Sequence, residues 1–185
     1  MFHFVQIVYW LALSTWFGGV LFIALSAPTI FNTVRTHNPI LPTVLSVNLD
    51  NQHATLLANS VVSGLMERLI RVELICAAAL LVALIAQWVV LHDATNQLIP
   101  LVVRSALYVA AVVLLIYNWR VLWPRVNRYR ENYIAHADEP EVANAAKEDF
   151  DRYHRETVTV LSMSLAALLG MVLFSANISA ARQLF

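Results

Sequence analysis

From Thr157 to Ala180 the chain runs 24 residues without an Asp, Glu, Lys or Arg, directly after a segment dense in all four. At 1.5 Å rise per residue, a helix of that length crosses a hydrocarbon core of about 30 Å. Three more long apolar runs precede it, at about Phe4 to Ile30, Leu69 to Leu91 and Leu101 to Trp123. Their lengths predict an all-α integral membrane four-helix bundle, a single transmembrane domain over residues 1–185 with connections at 31–68 and 124–156.

Composition agrees. The chain is 59% hydrophobic and 13% charged, against about 25% charged residues in a typical soluble domain. Twelve Lys and Arg balance twelve Asp and Glu, which argues against nucleic acid as a partner driven by net charge. The expected partners are the lipid bilayer and other membrane subunits or a second copy. No Lys or Arg precedes Arg35, so the first apolar run is expected to stay as a membrane anchor rather than to be cleaved as a secretory signal. The single cysteine, Cys76, sits in an apolar run and has no intramolecular disulfide partner.

The basic residues divide ten to two. Arg35, Arg68, Arg71, Arg120, Arg125, Arg128, Arg130, Lys147, Arg152 and Arg155 flank or fill the first and third connections, and Arg104 and Arg182 lie on the other side. Basic residues are retained on the cytoplasmic face, so both termini are expected outside, in a bacterial cytoplasmic membrane. The third span has only 15 uncharged residues at its centre, Ser105 to Trp119. Arg104 and Arg120 are expected to lengthen it by reaching head groups at opposite faces.

The two inward connections read as short cytoplasmic helical extensions. Residues 51–67 have helical spacing, with Asp50 or Asn51 as cap, after a loop broken by Asn38-Pro39 and Pro42. Pro124 is placed to start or kink a basic helix through about Tyr133, and Pro140 to open one that feeds the last span.

Inside lipid, close backbone approach and polar contacts hold helices together. Small residues predict where: Ser14 and Gly18 with Thr15 and Gly19 in the first span, Ala79 and Ala83 in the second, Ala106 and Ala110 in the third, and Ser162, Ala166 and Gly170 in the fourth. Trp16, beside Gly18 and Gly19, is expected to fill space against a neighbouring helix, although a cofactor could occupy the same slot. Glu67 and Arg71, four apart at the inner end of the second span, share a helix face and are expected to pair, flanked by Arg68 and Glu73.

His154 and His53 belong to the same membrane side and form the basis of an alternative reading, in which two helices bring imidazoles together on a haem or transition metal. No two histidines have the i, i+3 or i, i+4 spacing of a helical metal pair, and neither HExxH nor CxxC occurs. No phosphate loop, nucleophile elbow or triad spacing points to an enzyme.

Three segments together resemble the transmembrane-protein-205-like family. They are Trp16-Phe-Gly18-Gly19 followed by Ala27-Pro28-Thr-Ile-Phe31; Trp123-Pro124-Arg125-Val-Asn; and Phe150-Asp-Arg-Tyr153-His154-Arg-Glu-Thr157. The resemblance implies a compact four-span membrane protein without a settled biochemical activity, with a eukaryotic member connected to resistance to platinum drugs. It marks Trp16, Gly18, Pro28, Pro124, Phe150 and His154 as family positions and assigns them no role. The sequence thus supports a non-enzymatic membrane protein, either an accessory subunit or a handler of small solutes or metal.

Overall fold

The computed structural model describes residues 2–37, 53–91, 98–136 and 140–181, and all of its regular structure is helical. The helices are α1 (Phe2–His37), α2 (His53–Leu91), α3 (Leu98–Tyr117), α4 (Trp123–Ala135) and α5 (Pro140–Ala181). A π turn, Asn118–Leu122, joins α3 to α4 without a break. The result is a four-helix bundle whose four long helical segments are apolar enough to cross a membrane. The expected loop at Asn38, Pro39 and Pro42 and the cap at Asp50 or Asn51 lie outside the described residues.

The expected extensions are continuous with the spans. From His53 onward the helical reading of residues 51–67 is realised as the first part of α2, which runs unbroken into the second apolar run. Pro140 opens α5, where its missing N–H would have no intrahelical partner in any case. Pro124 explains the π turn. In a regular helix its ring would collide with the carbonyl of Arg120, four residues back, and it has no N–H to offer. The helix widens just ahead of it, and the Trp123 N–H donates to the Asn118 carbonyl, five residues back.

The chain divides into two compact units. Unit 1 comprises Met1–Leu21, Leu69–Leu115 and Leu161–Phe185, and unit 2 comprises Phe22–Arg68 and Ile116–Val160. Charge follows the same division: unit 1 holds five of the chain's 24 Asp, Glu, Lys and Arg residues and unit 2 the other nineteen. Unit 1 also carries most of the exposed large apolar side chains, among them Phe4, Ile75, Val89 and Ile99, each at least 70% exposed. Water would penalise such a surface, whereas lipid would not.

Burial within the helices steps by three and four. The buried positions include Tyr9, Leu13, Trp16 and Val20 in α1; Leu69, Glu73, Cys76, Leu80, Ala83 and Gln87 in α2; Leu101, Arg104, Tyr108, Ala111 and Leu115 in α3; and Ser164, Ala167, Met171 and Ser175 in α5. That spacing keeps one narrow face of each helix against its neighbours, as in a coiled coil. Two contacts show α1 and α2 to be antiparallel: Trp16 meets Glu73, and Gly19 meets Leu69. Tyr108 to Ala77 and Ser105 to Trp88 show the same for α2 and α3.

This seam corrects the small-residue reading. Ala106, Ala110, Ser162 and Ala166 are exposed, and Ala111, Ser164 and Ala167 occupy the buried positions instead. Gly18 faces open space, whereas a Cβ on Gly19 would lie 2.9 Å from Leu69 Cδ1 and one on Gly170 2.9 Å from Leu107 Cδ1. Gly19 and Gly170 therefore mark close helix approach, and Gly18 does not.

Candidate functional site

The third span does not extend itself by laying Arg104 out to a head group. Arg104 falls on the buried seam, is 1% exposed, and stands with its guanidinium carbon 5.4 Å from the centroid of the Tyr9 ring. Glu73, read from sequence as a flank of the Glu67–Arg71 pair, is 2% exposed on the seam of α2. Its Oε1 accepts a hydrogen bond from Trp16 Nε1 at 3.0 Å. Trp16 is completely buried, so it fills a helix interface as expected and also holds a carboxyl group in place.

These groups lie at different depths. Tyr9 and Trp16 are seven residues apart on one face of α1, which is two turns or about 10 Å. Arg104 is level with Tyr9 and Glu73 is level with Trp16, so each charge has its own aromatic neighbour instead of the other charge. Neither is saturated. Glu73 Oε2, Arg104 Nε and Arg104 Nη2 are buried without a hydrogen-bond partner. Gln87, two α2 seam repeats from Glu73 and 1% exposed, has both Oε1 and Nε2 in the same condition. A buried polar group without a partner costs about 1–3 kcal/mol, so three such side chains with five unpartnered polar atoms need a reason.

The fixed hydrogen bonds around the line define what remains free. Ser175 Oγ donates to the Met171 carbonyl at 2.6 Å, so the Tyr9 hydroxyl is the donor in its 2.7 Å bond to Ser175. Tyr108 spends its proton on the Ala77 carbonyl, 2.8 Å away. Trp88 Nε1 donates to Ser105 Oγ at 2.9 Å and ties α2 to α3 beside Gln87 and Arg104.

Unit 2 contains a different cluster. The His154 ring is stacked on Phe150, with centroids 5.9 Å apart at 17°, and meets Phe31 edge-on at 6.5 Å. His154 stands three residues before the uncharged run, within the fourth helical segment long and apolar enough to cross a membrane. Tyr153 stacks on Tyr129 at 5.4 Å and lies under Arg125. The ring contacts of His154 are aromatic, and among the described residues no group of three His, Cys, Asp or Glu is placed to hold a metal ion. His53 begins α2, but its side chain lies outside the described residues.

The other sequence-derived positions are scattered. Glu67 and Arg71 are exposed and each is engaged in an interaction. Pro28 is exposed within α1, which continues through it. Pro124 is exposed just after the π turn, where Arg120 lies over the Trp119 ring at 4.6 Å. Comparison with protein-family models, with characterised proteins and with solved structures finds no match. The geometry of the internal line therefore carries the functional reading.

Proposed function

We propose that this is a non-enzymatic integral membrane protein that takes a small charged solute onto the internal line of unit 1. The observation that carries the reading is the pair of buried, incompletely partnered charges, Glu73 and Arg104, two turns apart in the half of the chain richest in lipid-compatible surface. Charged residues inside membrane helices are expensive and mark solute or ion pathways. Purely structural charges would be expected to pair with one another.

Unit 1 is the lipid-embedded part in this reading, and unit 2, with nineteen charges, is the water-exposed part. Basic residues favour a cytoplasmic unit 2 and external termini. Introducing Lys147→Cys or His3→Cys into a Cys76→Ser background tests this. A membrane-impermeant maleimide should label His3→Cys in intact cells and reach Lys147→Cys only after lysis; the opposite pattern reverses the topology.

Solute passage is tested in liposomes. After a hyperosmotic step of potassium nitrate with valinomycin, or of glycerol, vesicles containing the protein should re-swell faster than bare ones in the salt. Glu73→Gln and Arg104→Met should return the rate to that of bare vesicles. Equal rates for wild type, variants and bare vesicles would remove the solute reading.

A further inference from the structure

We propose that Arg104 and Gln87 hold a small carboxylate or other oxyanion inside unit 1, an inference that rests on the solute reading above and names the solute's chemistry. Arginine stays protonated in proteins, so the Arg104 charge is permanent. It is 1% exposed, and the carboxyl group of Glu73 is held two turns away by Trp16. Tyr9, through both its ring and its hydroxyl oxygen, is its described neighbour of complementary potential. A ring quadrupole offsets part of a desolvated cation's penalty but accepts no hydrogen bond from Nε or Nη2 in the guanidinium plane.

Those two donors, Nε and Nη2, form one edge of the guanidinium fork, the edge that matches the two oxygens of a carboxylate or nitrate. Gln87 adds an amide N–H donor with no partner of its own. The Trp88–Ser105 hydrogen bond joins the residues next to Gln87 and Arg104, so α2 and α3 are held together where both side chains turn inward. The Tyr9 and Tyr108 hydroxyl protons are already committed, so the anion takes its hydrogen bonds from the arginine and the amide. Both side chains are 1% exposed, which excludes a lipid head group on its glycerol backbone and leaves a free small anion as the occupant to test.

The test uses the full chain in a non-ionic detergent, melted in potassium gluconate, formate or nitrate at equal ionic strength. Gluconate is too bulky to be enclosed and serves as the reference. Formate or nitrate should raise Tm above the gluconate value, increasingly with concentration, because a ligand that binds only the folded state stabilises it by mass action. Arg104→Lys keeps the charge and loses the fork, and should need about tenfold more anion for the same shift. Gln87→Leu should act in the same direction, and Arg104→Met should abolish the shift. If Arg104→Met does not fold, the other two variants still decide.

Identical melting of the wild type in all three salts overturns the proposal, as does an unchanged anion response in Arg104→Lys and Gln87→Leu. Anion-independent melting with Glu73-dependent liposome flux removes the anion assignment and leaves the solute reading standing. Anion-dependent melting without flux supports the site and removes passage across the membrane.

Discussion

Trp16→Ala is expected to destabilise the purified protein by about 3 kcal/mol, among the larger effects of any single truncation here. The ring is fully buried, so its removal leaves a cavity that helices held by close packing fill only partly. In lipid or detergent the ring's transfer energy largely cancels, because the unfolded chain is already solvated by apolar chains. What remains is lost packing and the hydrogen bond to Glu73. Trp16→Phe separates the two. It keeps most of the volume and leaves both carboxyl oxygens of Glu73 without a donor, since Oε2 already lacks one. That variant should lose about 1–2 kcal/mol. With Glu73→Met in the background, the further loss on Trp16→Phe should fall to a few tenths of a kcal/mol. Denaturant unfolding of the four proteins closes the cycle, and strictly additive losses would show that the Trp16–Glu73 bond contributes nothing.

Architecture was readable because it follows from run length. The apolar stretches at 69–91 and 157–180 carry a period-independent signal, and the all-α bundle emerges from counting them. Pro140 and Pro124 likewise act through a local steric rule, so the start of α5 and the disturbance before α4 are visible in the sequence. Which face of each helix turns inward is a pairwise property and was not. Ala106 and Ala110 satisfy the small-xxx-small pattern as well as any pair, yet the seam passes through Tyr108 and Ala111.

Arg104 and Glu73 illustrate the same limit. Each lies near the end of an apolar run, where a long charged side chain ordinarily reaches water. Only the three-and-four stepping shared with Trp16, Leu80 and Tyr108 shows that they point inward. A usable signal existed in Gln87, a polar residue within the second run at one seam repeat from Leu80, because a solvated role does not explain it there. For the histidines, spacing showed the absence of a helical metal pair but gave no hint of Phe31, which approaches His154 from a segment more than a hundred residues away.

Arg104→Met should raise the melting temperature while abolishing the response to small anions, the reverse in sign of Trp16→Ala. In anion-poor buffer the guanidinium is buried with two unused donors, and the effective penalty for such an ion is several kcal/mol. The attraction of the Tyr9 ring offsets about 2 kcal/mol of that. Methionine fills nearly the same volume, needs no hydrogen bonds and packs well against an aromatic ring. The net change should therefore be a gain of about 1–3 kcal/mol, read as a higher Tm in potassium gluconate, with the gap closing as formate or nitrate stabilises the wild type alone. A protein that carries an internal charge for function loses stability by keeping it, and removing that charge exchanges activity for stability. Were Arg104→Met instead less stable than the wild type in gluconate, the arginine would be a structural element of the α1–α3 contact. The anion responses of Arg104→Lys and Gln87→Leu would then decide by themselves whether the internal line is a solute site.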